Sequence, residues 1–252
     1  MNNNNDNNNK LGDFLAYLNA NYNKITSERD MFLRERCDGP LVKSAINLLV
    51  APPNAHKSTV AFLIAYSGLV NKEFNNVFYF DFNNSPSFYQ GRYWAYREQD
   101  RLFYLTEYDM NKFFNDIDWL ANKTPREKVV SLMKTMSEDQ FGDHSYLIVL
   151  DEVEQFITYF NFNELQDMYS YLRSISFLRG TVLLIEHTLF HEQNIEFNDI
   201  VLSFFYNSAD VVFSIKEQKI CNNDGAINVE LACEKTKLLK EPEKRTIEIP
   251  LK

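Results

Sequence analysis

Short apolar runs alternate along the chain with longer stretches in which apolar positions recur every three to four residues, the rhythm of strands interleaved with helices. Ala45 to Val50, apolar but for Asn47, reads as a buried strand. A loop of small and polar residues, Ala51 to His56, separates it from Lys57-Ser58-Thr59. These open an apolar helix through Tyr66 that Gly68 is expected to end. Val77 to Asp81 is the next strand, and strand, loop, helix, strand is one βαβ unit. Further strands are predicted at Leu102–Thr106, Tyr146–Leu150, Thr181–Ile185, Asp210–Ile215, Ile227–Cys233 and Thr246–Ile249, and helices at Met110–Ala121, Pro125–Met136 and Phe162–Phe177. The first five strands alternate with helices, which predicts an α/β fold with a mainly parallel sheet covered on both faces. The last three crowd together around the turn Asn222-Asn223-Asp224-Gly225 and predict antiparallel strands near the C-terminus.

The chain divides into three parts. Residues 1–10 are an Asn-rich tail too polar to bury, expected to be disordered. Residues 11–43 form a helical lead-in, with Phe14, Leu15 and Leu18 in one stretch and Met31 and Phe32 in another. The break falls near Ile25-Thr26-Ser27, where Ser27 and Asp30 stand at capping-box spacing. Residues 44–252 make one core domain without internal repeats. With 45% hydrophobic and 24% charged residues, a disordered or fibrous protein is excluded. No apolar run reaches the roughly 18 residues of a bilayer span and no apolar signal region stands at the start, so a cytoplasmic chain with no membrane partner is expected. A net charge of −9 limits any nucleic-acid contact to local patches or an assembly. Cys37, Cys221 and Cys233 show no disulfide or zinc spacing and read as buried thiols. His144 and His191 read as surface residues.

The candidate chemistry lies at the strand-to-helix loop. Backbone N–H groups and a helix N-terminus there converge on an anion, with a lysine adding full charge, in the spacing G-x-x-x-x-G-K-[ST]. This chain has Ala51-Pro52-Pro53-Asn54-Ala55-His56-Lys57-Ser58-Thr59, with lysine and hydroxyl in place and neither glycine. A cation in a first helical turn opposes the helix dipole, which favours an anion site over a solvated helix start. His is among the non-glycine types enriched at positive φ, so His56 is expected to take the bend glycine would make. A second element, Tyr146 to Leu150 followed by Asp151-Glu152, is an apolar strand ending in two carboxylates. Such a pair can hold the water shell of Mg²⁺ and polarise water, or simply cap the next helix.

Together these motifs resemble the RecA-like P-loop ATPases, and within them the RepA-type group of plasmid and phage replicative ATPases, with a degenerate Walker A. The resemblance runs from Ser44 to the C-terminus. Val77 to Pro86 is similar to the second core strand, Thr181 to Thr188 to the sensor strand, and Glu234-Lys235-Thr236-Lys237 falls where the family carries a K-x-R pair. It implies that Pro53, Asn54, Ala55, His56, Lys57, Ser58 and Thr59 cradle ATP. Lys57 would neutralise phosphate charge, Ser58 and Asp151 would hold Mg²⁺, Glu152 would orient water, and His187 would sense the γ-phosphate. Lys235 and Lys237 would reach a neighbouring subunit's nucleotide, although an exposed strand face is the plainer reading of that pair. The resemblance also implies a homo-oligomeric ring or filament acting with single-stranded DNA or with a replication or recombination protein. Two departures predict slow turnover: Asn83 stands where the family has a carboxylate, and Lys237 stands where it has an arginine. The alternative is a pseudo-ATPase that keeps the fold as an interaction subunit. A small-molecule kinase is disfavoured, because no Arg-rich lid is evident.

Overall fold

The computed structural model describes residues 40–84, 101–115, 117, 119–138, 145–157, 161–188, 197–220, 226–237 and 245–250. The Asn-rich tail, the helices expected between 11 and 36, Cys37, Cys221, His144, His191 and the 222–225 turn lie outside them. In chain order the elements are β1 (Ile46–Ala51), α1 (Lys57–Val70), β2 (Asn76–Asp81), β3 (Leu102–Thr106), α2 (Glu107–Phe113) and α3 (Pro125–Glu138). Then come β4 (Tyr146–Asp151), a 3₁₀ turn η1 (Val153–Phe156), α4 (Phe162–Phe177), β5 (Thr181–His187) and α5 (Phe197–Ser208). The chain continues through β6 (Val211–Ile220), β7 (Ala226–Thr236) and β8 (Arg245–Pro250). The strands form one sheet of order β3-β2-β4-β5-β1-β6-β7-β8. Pairings from β3 across to β6 are parallel, and β6/β7 and β7/β8 are antiparallel. This is the α/β architecture expected from the sequence, a mainly parallel sheet with antiparallel strands near the C-terminus. Among the described residues no helix is long and apolar enough to cross a membrane.

Period-two alternation decides which side chains meet α1. Leu49 of β1, Leu147 and Val149 of β4, and Leu183 and Ile185 of β5 pack with Val60, Phe62 and Ile64 of α1 in one core. Leu48, Ile148 and Leu184 face the other way, into a second core with Val129 of α3, Leu172 of α4 and Phe205 of α5. One step further along each strand, the same alternation puts Asp81, Asp151 and His187 on the α1 face and Glu186 on the other. The one polar residue inside β1, Asn47, is fully buried and fully engaged. Its Oδ1 accepts the Val42 amide at 2.9 Å and its Nδ2 donates to the carbonyls of Val42 and Val182, as a buried amide must. Leu41 and Val42 join the α1-side core, so the described end of the lead-in is part of it.

Three differences from the sequence reading have physical reasons. The α1 helix runs past Gly68 to Val70. A Cβ at Gly68 would stand 2.7 Å from the Phe74 ring, so this glycine serves close packing and does not stop the helix. The α2 helix starts at Glu107, before Met110, because Thr106 and Asp109 form a capping box, and it stops at Phe113. The α5 helix was not expected at all. Its runs Ile200-Val201-Leu202 and Phe204-Phe205 lack an obvious polar face, and β-branched and aromatic residues weaken the helical signal.

Candidate functional site

The loop after β1 is curled. Asn54 and His56 both take positive φ, at 63° and 56°, and the Ala55 amide closes a turn onto the Pro52 carbonyl at 3.2 Å. His56 is the N-cap of α1 in a left-handed conformation, and no side chain caps the helix. First-turn amides have no intrahelical partner. The α1 N-terminus, with no acidic residue in its first turn, therefore offers its donors and partial positive charge to an anion. Left-handed backbone costs a residue with a Cβ about 1–2 kcal/mol, and glycine loses more freedom on folding, so the two effects nearly cancel. His56→Gly is accordingly expected to change stability by less than about 1 kcal/mol in urea denaturation. His56→Val, β-branched where φ is positive, should lose about 2 kcal/mol and straighten the loop.

Lys57 begins the helix with its ammonium buried against two neighbours. Its Nζ donates to Glu152 Oε1 at 2.7 Å and lies 2.8 Å from His187 Nε2, while Nε2 lies 2.8 Å from the same Glu152 oxygen. One ring nitrogen cannot both accept from Lys57 and donate to Glu152. The triangle is therefore one contact short of satisfied, and His187 Nδ1 is buried without a hydrogen-bond partner. Burial pushes the Glu152 carboxyl up, but hydrogen bonds from His187 and Lys57 outweigh it and hold the group below its usual range. Glu152 itself takes φ 60°, and its amide donates to the Ile185 carbonyl at 3.0 Å. The bend at the end of β4 is thus pinned to the strand that carries His187.

Asp151, one residue earlier, is buried beneath this triangle. Burial first, and then the charge of Asp81, push its carboxyl up to about 7 against the opposing pull of Ser58, Lys57 and Tyr79. The Tyr79 hydroxyl lies 2.9 Å from Asp151 Oδ2 and 3.2 Å from the Ser58 carbonyl. Asp81, in register with Asp151 on the adjacent strand, accepts from the Tyr104 hydroxyl, the Asn84 side chain and the amides of Asn83 and Asn84. Tyr79 and Tyr104 stack at 4.9 Å against Phe62 of α1, which aims both phenols at the acids. Neither tyrosine stood out in the sequence, though the alternation from Asp81 back to Tyr79 was a usable signal.

Asp151 Oδ1 is buried and has no hydrogen-bond partner. An anionic oxygen left so is costly unless a cation or water completes it, and this donor set suits a hydrated Mg²⁺ shared with the Ser58 hydroxyl. Among the described residues no three His, Cys, Asp or Glu side chains converge as a closed metal site. Other ligands of such an ion would be water and phosphate oxygens. Thr59 Oγ1, also buried, has no partner either.

Lys235 and Lys237 are elsewhere. Lys235 pairs with Val212 at the start of β6, level with the start of β1 and so at the opposite end of the strands from the loop. Their ammoniums donate to the last carbonyls of α5, Lys235 to Tyr206 and Asn207 and Lys237 to Ser208, where cations suit the helix dipole. The structure thus brings together Lys57, Ser58, Asp151, Glu152 and His187, and leaves the two C-terminal lysines apart. Cys233 is half-buried, with Sγ 3.5 Å from the Lys235 carbonyl.

No family model matches the chain, and no curated protein is similar to it in sequence. Among solved structures, a KaiC-like protein from the hyperthermophilic archaeon Pyrococcus horikoshii is similar over 83% of this chain and 91% of its own, with a TM-score of 0.48 and 10% identity. The chain's own topology is a mainly parallel α/β sheet in which β5 separates the Lys57 strand from the acidic strand.

Proposed function

We propose that the chain binds ATP with Mg²⁺ at the Lys57 loop and hydrolyses it slowly, as a homo-oligomer serving DNA replication or recombination. The observation that carries the nucleotide reading is the curled loop at an uncapped helix start, with Lys57 in its first turn and Asp151, Glu152 and His187 gathered beside it. In this reading the amides of residues 54–59 cradle the phosphates, with Pro53 lining the loop, and Lys57 neutralises their charge. Ser58 and Asp151 hold Mg²⁺, which offsets the charge developing on the phosphoryl oxygens. Glu152 orients water and His187 contacts the terminal phosphate. Titration with a fluorescent ATP analogue and Mg²⁺ tests it. Saturable binding is expected, weakened about 100-fold by Lys57→Ala, the loss of charge-assisted bonds of roughly 3 kcal/mol. Binding that survives this substitution rejects the site.

The oligomer and the DNA role come from the resemblance. Lys235 and Lys237 would serve a neighbouring copy's nucleotide only after leaving the α5 carbonyls. The test is mass in solution: ATP and Mg²⁺ should raise it, and an unchanged mass removes the ring or filament. A net charge of −9 confines any single-stranded DNA contact to loops.

A pseudo-ATPase is the second reading, favoured by the mutual engagement of Lys57 and Glu152 and by Asn83 in place of a carboxylate. Saturable binding without phosphate release would select it.

A further inference from the structure

On the face of β5 away from His187 lies a carboxyl pair that the proposed chemistry leaves unused. Glu186 is 2% exposed and Glu154 8%, and burial favours the protonated form of a carboxyl. The Glu154 amide donates to Glu186 Oε1 at 3.2 Å, while Glu154 Oε2 is buried without a hydrogen-bond partner. Burial, reinforced by the charge of Glu154, holds the Glu186 carboxyl well above its usual range.

No cation relieves the pair among the described residues. The largest charges acting on Glu186 are those of Glu154 and Glu152; α4, which packs on β5, carries Glu164, Asp167 and Arg173, and Arg173 is paired with Asp210 at 2.7 Å. The α3 and α5 helices pack on η1 from the other side. Arg126 of α3 spends its Nε on the Gln155 carbonyl at 2.7 Å, and Asp199 is the charged residue of α5. Lys57 and His187 face the opposite side of the sheet, with the Glu152 side chain.

What this pair touches gives it a task. Glu152 holds φ 60° and ψ 81°, a left-handed backbone that costs a non-glycine residue about 1–3 kcal/mol and persists only where its surroundings enforce it. Two described tethers run from this bend to β5: the Glu152 amide to the Ile185 carbonyl, and the Glu154 amide to the Glu186 carboxyl. We propose that Glu186, which accepts the Glu154 amide, is a positioning residue that clamps the bend onto β5 and so aims the Glu152 side chain at Lys57 and His187. The functional consequence rests on the reading of Glu152 as the group that orients water, whereas the clamp itself exists without nucleotide.

Glu186→Ala and Glu186→Gln separate the cases. A glutamine still accepts the Glu154 amide, but cannot lose a proton. Amide exchange read residue by residue in the nucleotide-free chain should show residues 152 to 154 protected in the parent and in Glu186→Gln. They should be unprotected in Glu186→Ala, with β1 and β4 still protected as evidence of an intact fold. Alkaline pH should strip this protection from the parent, as the buried Glu186 carboxyl ionises, and spare Glu186→Gln. In turnover, Glu186→Ala should lose about 100-fold in kcat with KM for ATP unchanged, the scale expected for a misplaced catalytic group, and Glu186→Gln should recover it. Unchanged protection in Glu186→Ala, or equal alkaline loss in parent and Glu186→Gln, overturns the clamp whatever hydrolysis does. The expected exchange pattern in a chain that hydrolyses nothing upholds the clamp and rejects the catalytic reading of Glu152.

Discussion

Glu152→Gln is expected to reduce ATP turnover by between about 100- and 10,000-fold, the range general-base assistance contributes, while nucleotide binding becomes tighter. The two changes have opposite signs because Glu152 has two jobs. In the nucleotide-free chain its carboxylate holds the Lys57 ammonium at 2.7 Å, so a triphosphate must displace it before Lys57 can serve the phosphates. An amide cannot compete with phosphate for that ammonium, nor can it draw a proton from water at neutral pH. Single-turnover phosphate release, set beside an analogue titration on the same preparation, reads both. A variant that turns over at the parent rate would remove Glu152 from the chemistry and point to another group near Lys57.

Asp151→Asn should do the reverse of most active-site damage and stabilise the nucleotide-free chain. A carboxyl lifted from 3.8 to about 7 favours folding while it stays protonated. The contribution is complete below the unfolded value and is lost as the pH rises through the folded one. By about pH 8 the folded chain therefore carries an ionised, buried Asp151 beside Asp81 at a cost of as much as about 4 kcal/mol. Asparagine removes that charge. Denaturation at about pH 4 should find variant and parent alike, and at about pH 8 the variant more stable. A gain of equal size at both pH values would mean that packing, not charge, was responsible. The same substitution should abolish Mg²⁺-dependent nucleotide binding.

Much of this arrangement was legible in the chain. The apolar runs Val77 to Asp81, Tyr146 to Leu150 and Thr181 to Ile185 sufficed to place parallel strands, because strands covered on both faces are nearly continuous in apolar residues. His56 could be expected at positive φ because its side chain tolerates the left-handed region, and the backbone bears this out at 56°. What stayed hidden were pairings across distance. Nothing local in Tyr79 or Tyr104 announces that stacking will deliver both hydroxyls to two acids, and a two-residue offset separates Glu152, which the motif names, from Glu154, which it does not. The α5 helix escaped because Phe204-Phe205 and Ile200 to Leu202 read as strand-like when no partner is in view. Lys235 and Lys237 show the converse: the resemblance assigns them to a neighbouring copy's nucleotide, and within the chain their ammoniums sit on the last carbonyls of a helix.

A loop whose bends are made by Asn54 and His56 differs from a glycine loop in what it does before any ligand arrives. Glycine visits many conformers and must be caught in the right one, whereas side chains with a Cβ narrow the choice in advance. Less ordering then remains for the moment of capture. Such a cradle would grip the shared part of nucleoside di- and triphosphates almost indifferently. Telling fresh fuel from spent would fall to the far end of the cleft, where Glu152 and His187 must be parted.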